Sequence, residues 1–496
     1  MKKITGSLLI LFLFLSTISF SQTITSRVID QKTGAPIPYA TIEFFPNEGV
    51  ITNEEGMFSY TISKKHTPQD SIYISSMGYE KTAVAFHIPI DSIIAIAPKT
   101  IELSRVFISN KHLSAAEIIE KTTERLQENY NTSLTHKRLF LRNSDFTNLS
   151  KLDVDFKKST IEEFNKAFVD SVITTIPQKT SYYTEILGDL YGNKNTQKLS
   201  IIKAAELYDK NNTGSLEEMG KKIETIFKNN VKKDSYLKFK SGIFSQKVQV
   251  DSIIEHEKEA AAVKEAIDSP NKNNGFFISS KSNINQLFSK LFIHGASKLN
   301  ILEKPGRYHF SLKDYTYIDD NSVYIIEFTP KRRGDFKGTL YINTEDFAVV
   351  RIDYENTRLL KSFKLLGLMF QETTYKGKLL FSKNANQKYD LRFMEKITGE
   401  KFGVNRPLKI IEKNKFVSGK RKQNELSLGI DMVMSTIYKS ELVVFNSENI
   451  DQATYDTHKE NKNSKPTYLS KYTPEFWEGY NIIEPNTAIK AFKVLD

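Results

Sequence analysis

The chain has 496 residues, with 70 lysines and arginines against 59 aspartates and glutamates, for a formal net charge of +11. A hydrophobic fraction of 39% and an aromatic fraction of 11% can bury real cores, which excludes a disordered chain. The mixed surface excludes a polycation, and the lack of cysteine excludes disulfides, thiolate metal sites, cysteine nucleophiles and a diacylglycerol-cysteine anchor.

Residues 1–21 carry Lys2-Lys3, an apolar run from Leu8 to Leu15, and Ser19-Phe20-Ser21 before Gln22. A charged start, a short apolar stretch and a small-x-small site predict a cleaved secretory leader, the run being short for a bilayer span. The expected location is periplasmic, outer-membrane-associated or extracellular. Nucleic acid is not an expected partner, because no aromatic-plus-basic motif is present.

From Thr23 to about Tyr79, short alternating runs are broken by turn residues. Val28-Ile29-Asp30 leads into Lys32-Thr33-Gly34, and Tyr39, Thr41 and Glu43 alternate with Ala40, Ile42 and Phe44. Asn53-Glu54-Glu55-Gly56 is a second turn, and Ser71–Ile74 and Thr82–Phe86 are further strands about Met77-Gly78-Tyr79. This spacing predicts a β-sandwich. Its elements are Val28-x-Asp30, Thr33-Gly34-x-Pro36-x-x-x-Ala40-x-Ile42, Thr52-Asn53-x-x-Gly56-x-Phe58 and Ser75-x-x-Gly78-Tyr79. In that order they resemble the carboxypeptidase regulatory-like domain, a prealbumin-like (Ig-like) sandwich at the front of Gram-negative envelope proteins. The resemblance covers residues 22–105 and implies an accessory role without catalytic residues. Ser26 stands where that family often has glycine, a change expected to touch only an edge strand. Asn53, Glu54 and Glu55 read as a plain turn rather than calcium ligands.

A linker over Pro98–Lys111 precedes residues 112–299, expected to be mainly helical. Ser114 and Glu117 form a capping box. Helices are predicted over Thr160–Val172, Ser200–Tyr208, Leu216–Phe227 and Asp251–Ile267, with a strand at His136–Arg142 and a loop at Asp268–Gly275. Alternation returns in 300–446, at Tyr324, Ile326 and Phe328, at Ala348, Val350 and Ile352, and at Tyr389, Leu391 and Phe393. Short turns such as Asp319–Ser322 predict a curved antiparallel sheet. The segment Thr329–Asn343 with Phe347–Ile352 resembles large envelope-protein families that share the regulatory-like front end, and its cadence is similar to the curved sheets of periplasmic lipoprotein carriers. In the tail, 447–496, Trp477 with Phe476, Tyr480, Ile482 and Ile483 is read as an aromatic segment docked on the sheet domain. The expected fold class is α+β multidomain.

Catalytic patterns are near-misses. His256-Glu257-Lys258-Glu259-Ala260 lacks the second histidine of a zinc-protease helix, and Gly214–Lys222 lacks the phosphate-loop spacing and hydroxyl. Ser235-Tyr236-Leu237-Lys238 has Ser–Lys spacing without companion motifs. No cofactor, metal ligand or catalytic residue is assigned. The stretch Arg358–Phe370 places Leu359, Leu360, Phe363, Leu366 and Phe370 on one side of a helix and Arg358, Lys361 and Lys364 mostly opposite. It reads as a ligand or peripheral membrane contact, as a core helix over the sheet, or as two buried strands, since Gly367 disfavours a helix. The main functional expectation is a non-catalytic envelope protein with a binding or assembly role, its partner an envelope protein, a polysaccharide or a lipid. The alternatives are a periplasmic lipid or lipoprotein carrier and an envelope glycan or peptide hydrolase.

Overall fold

The computed structural model describes residues 23–45, 48–62, 70–85, 90, 92–99, 113–251, 274–295, 297–318 and 321–494. Outside them lie the expected leader at 1–21, nearly all of the linker, and the helix expected beyond Asp251 with its His256–Ala260 stretch. So do most of the loop before Gly275 and the first residues of the turn Asp319–Ser322. The chain divides into two compact units, Met1–Thr100 with Thr473–Lys490, and Ile101–Tyr472 with Ala491–Asp496.

The first unit holds β1 (Thr23–Asp30), β2 (Thr41–Phe45), β3 (Glu48–Ile51), β4 (Met57–Thr61), β5 (Ser71–Ser75), β6 (Thr82–Ala85) and β7 (Ile93–Ile96). They form a three-stranded sheet in the order β4-β1-β7 and a four-stranded sheet in the order β3-β2-β5-β6. Period-2 alternation turns Val28, Ile42, Phe58, Tyr60, Ile72, Ile74 and Ile96 inward, all fully buried, and Tyr60 stacks on Phe44 with ring centroids 3.6 Å apart. Ser26 is buried on the central strand β1, not on an edge.

The turn motifs have a physical basis. Asp30 Oδ1 accepts the backbone N–H groups of Lys32 and Thr33 at 2.8 Å each, and Tyr79 donates its hydroxyl to Asp30 Oδ2 at 2.9 Å. The Thr33 N–H above all holds the Asp30 carboxyl below its ordinary value. Desolvation, then the Asp30 carboxylate, pushes the Tyr79 hydroxyl up to about 12. Gly56 has φ of +74°, and a Cβ there would meet the Val28 carbonyl oxygen at 2.5 Å.

The aromatic tail segment packs on this sandwich rather than on the sheet of the second unit, which corrects the sequence expectation. Asn481 Oδ1 accepts from Thr61 N at 2.9 Å, Ser59 donates to Glu484 Oε2 at 2.6 Å, and Asn53 donates to the Pro485 carbonyl at 3.3 Å. Glu54 and Glu55 are bound by Asn486 and by the Thr487 N–H, so the Asn53–Gly56 turn is a seat for the tail. Trp477 and Ile483 are buried there; hydrogen-bonded backbone fixes the segment and apolar burial holds it.

The second unit opens with α1 (Ala115–Glu124) and α2 (Leu126–Asn129), and the Ser114–Glu117 capping box is formed. β8 (Thr135–Ser159), α3 (Lys166–Thr175), β9 (Lys179–Gly192), β10 (Gln197–Tyr208), α4 (Lys210–Asn230), β11 (Tyr236–Ser241), β12 (Phe244–Gln249) and α5 (Gly275–Ser289) follow. Next come β13 (Tyr308–Ile318), β14 (Asn321–Pro330), β15 (Phe336–Asn343), β16 (Val349–Asn356), β17 (Lys361–Leu365) and β18 (Leu368–Lys383). The last are β19 (Tyr389–Lys413), β20 (Lys422–Asn449), α6 (Gln452–Thr457) and β21 (Thr467–Leu469). They build a large curved 14-stranded sheet in the order β13-β14-β15-β16-β18-β19-β20-β8-β9-β10-β21, with β11, β12 and β17 off this path.

Four sequence expectations change here. Residues 112–299 are not mainly helical, since β8 to β12 lie among the helices. Ser200–Tyr208 is strand β10, not a helix, and the helix expected from Thr160 begins only at Lys166. Arg358–Phe370 is a hairpin: Leu365 pairs with Leu368, Phe363 with Phe370, and Leu366 and Gly367 turn the chain with φ of +49° and +77°. Two successive positive φ values are what a two-residue I′ turn demands. Its first strand is exposed along its whole length and Leu368–Phe370 of its second are half-buried, so neither is a buried strand.

Two tests follow from these contacts. Asp30's folded pKa is depressed, so its contribution is whole above the unfolded value of ~3.9 and disappears as pH falls through the folded value. Tyr79→Phe removes one donor to that carboxylate and should move acid unfolding, followed by Trp477 fluorescence, to higher pH; an unchanged midpoint contradicts the contact. In a helix, Gly367→Ala would be stabilising, but in the hairpin a Cβ would meet the Asn405 carbonyl oxygen at 2.1 Å. Chemical denaturation should therefore show a loss of at least about 1 kcal/mol.

Candidate functional site

The three longest strands, β8, β19 and β20, pair continuously. On β20, Leu426, Leu428, Ile430, Met432 and Met434 face one side, opposite Ile410, Leu408, Arg406, Val404 and Phe402 of β19. The same row continues across β8 through Val154, Leu152 and Leu149. At one end of this ribbon Leu139, Phe140, Leu141, Phe393, Leu442 and Val443 are fully buried. There α5 places Leu287 against Leu379 and Met394, and the gap between them is only about 20 Å³.

The other end stays open. α3 presents Phe168, Val169, Val172 and Ile173, and α4 presents Gly220, Ile223 and Phe227, spacings that put each set on one helical face. With Leu237 and Phe239 of β11 they stand over Leu152, Val154, Ile410, Leu426, Leu428 and Ile430 of the sheet. Between helices and sheet lies a cavity of about 650 Å³ with a nearly all-apolar lining. Ile223 lines it yet is 38% exposed, which places it at the mouth.

The polar groups in the wall are occupied by the chain itself. Glu412, which is 1% exposed, accepts from Ser235 Oγ at 2.7 Å, Lys232 N at 3.0 Å and Asn424 Nδ2 at 2.7 Å. Glu425 pairs with Lys409 at 2.9 Å and with Lys422. Beside it is a basic cluster. Desolvation first, then Lys158, Lys409, Lys413 and Lys420, holds Lys422 below the ordinary lysine value.

The residues singled out in the sequence lie elsewhere. Leu359, Leu360, Phe363, Leu366 and Phe370 do not line the cavity; Phe363 and Phe370 extend its sheet face through Phe402 to Met434. The sequence reading missed the cavity floor. The alternation Leu426-x-Leu428-x-Ile430-x-Met432-x-Met434 was the available signal. Ser235 and Lys238 do not form a catalytic pair: Ser235 is bound to Glu412, and Lys238 faces away from Leu237 and Phe239. Ser200 Oγ lies 2.9 Å from His458 Nε2, but that imidazole stacks on Tyr191, and the neighbouring Asp189 is engaged by His136 and Arg138. No described helix is long and apolar enough to cross a membrane.

No family model matches the sequence, and no curated protein matches it. Among solved structures, an outer membrane lipoprotein-sorting protein domain from Vibrio parahaemolyticus aligns at 8% identity and a TM-score of 0.20, over 69% of this chain and 97% of that one. A LolA superfamily protein from Nitrosomonas europaea aligns at 12% identity and a TM-score of 0.17, over 70% and 99%. The MucA/MucB complex of Pseudomonas aeruginosa aligns at 4% identity and a TM-score of 0.16, over 65% and 93%. Scores this low define no common fold.

Replacing Glu412 by leucine strands three donors in the wall and should cost about 2–4 kcal/mol in urea denaturation, whereas Glu412→Gln keeps an acceptor and should cost less. Equal losses would show that the wall does not depend on these hydrogen bonds.

Proposed function

We propose that the chain is an exported, non-catalytic envelope protein that carries the apolar chain of a lipid or lipoprotein in the cavity between α3, α4 and the sheet. The single supporting observation is the cavity itself. Ligand pockets run about 300–1,000 Å³ with mainly apolar linings, and this one has about 650 Å³ and a nearly all-apolar lining. The basic cluster of Lys413, Lys420 and Lys422 suits an anionic headgroup, with each buried methylene contributing about 0.8 kcal/mol. The leader pattern at 1–21 supports a periplasmic location, and the front sandwich serves as the binding or assembly module.

Delipidated protein should bind a dansyl-labelled fatty acid saturably. Ile223→Trp, which obstructs the mouth from an exposed position, should weaken binding by about tenfold or more without moving the melting temperature. Absence of saturable binding, or equal binding by the variant, rules the carrier reading out.

A further inference from the structure

β18 lies along one edge of β19 opposite residues 404–389, and β11 continues along that edge opposite residues 413–409. The β11–β12 and β17–β18 hairpins therefore meet tip to tip on a shared edge. Arg406 sits at the junction and ties the tips together, donating to the Leu366 carbonyl and to the Ser241 carbonyl and hydroxyl. Its guanidinium also lies over the Phe244 ring, 4.9 Å from the centroid. Four large apolar side chains project from this clamp: Ile243 is 82% exposed, Phe244 52%, Leu365 55% and Leu366 50%.

We propose that these paired tips dock on the headgroup layer of an anionic bilayer. Isolated exposed apolar residues need no explanation, but four on two clamped turns are a contiguous patch. Charge selects the occupant. Residues 236–249, 361–371 and 401–411 hold several lysines and one arginine and not one aspartate or glutamate. An apolar tip flanked by Lys240, Lys364 and Lys401, with Lys361 and Lys409 already paired to Glu372 and Glu425, matches a surface of negative headgroups over hydrocarbon, and each nearby cation strengthens the attraction. The docked tips adjoin Leu237, Phe239 and Ile410 of the cavity wall, although docking does not require the cavity to hold a lipid.

The test is co-flotation of the full chain with phosphatidylcholine vesicles, with and without phosphatidylglycerol. The chain should float with the anionic vesicles, and added salt should weaken it. Combined Ile243→Ser, Phe244→Ser, Leu365→Ser and Leu366→Asn, with Asn chosen for the positive φ, should lower partitioning by about tenfold or more. Lys364→Glu with Lys401→Glu should remove the preference for anionic vesicles. Both variants should keep their melting temperature and their fatty-acid binding, which separates failure here from failure of the carrier reading. A chain that floats with neither vesicle, a tip variant that floats like the parent, or tip substitutions that abolish only self-association in sedimentation would overturn the proposal.

Discussion

Continuous pairing of β8, β20 and β19 is the constraint on which the second unit rests. Strands of 25 and 28 residues run roughly 80–90 Å at ~3.3 Å per residue, far longer than one core can cover. The ribbon therefore meets different partners along its length. Near Leu141, Phe393 and Val443 both faces are buried, and Arg142 is buried with its pair Glu185 at 2.6 Å. The low dielectric strengthens the attraction of that pair, and burial is tolerated because close hydrogen-bonding geometry offsets the desolvation of both charges.

Toward the far end the balance reverses. The side chains of β20 from Leu426 to Met434 are all half-buried rather than buried, because α3 and α4 stand off the sheet instead of interdigitating with it. At ~24 cal/mol per Å³ a sealed, empty void of that volume would cost about 16 kcal/mol, beyond the whole stability of an ordinary domain. A packing defect of that size would not survive. An open mouth at Ile223 and a frame fixed by the Glu412 hydrogen bonds keep the space without the full penalty.

What could be read in the sequence followed from whether local period and tertiary register agreed. The alternation at Tyr324–Phe328 runs without a register shift on its strand and gave β14, and Val349–Ile352 gave β16 despite a bulge at Val350 because Val349, Val350 and Ile352 are all buried. The strands of the first unit were legible from the Val28-x-Asp30 and Gly78-Tyr79 elements because their turns close on one another through Asp30 and Tyr79. Ser200–Tyr208 misled because the register shifts between Ile201 and Lys203. The bulge brings Ala204 onto the face of Ile201 and leaves Ala205 on the other, so Ile201, Ala204, Ala205 and Tyr208 stand at the i, i+3, i+4, i+7 spacing of a helical stripe. Arg358–Phe370 misled in another way. A two-residue turn at Leu366-Gly367 brings Phe363 opposite Phe370, a seven-residue separation that a helix would also place on one face. The cavity is formed by elements far apart in sequence: the alternation from Leu426 announces its floor, but not that α3 and α4 stand over it.

The way the wall satisfies its own polar atoms limits how a guest can be recognised. Glu412, Asn424 and Glu425 find their partners within the chain, so a guest meets methyl, methylene and ring surfaces over nearly the whole cavity. Selection by such a surface is coarse, because one methylene more or less is worth only about 1–3 kcal/mol. A site built to hydrogen-bond one substrate would instead leave donors and acceptors waiting for it. If the space holds the proposed lipid chain, cavity volume would sort guests by chain length and the lysines about Lys422 by headgroup charge.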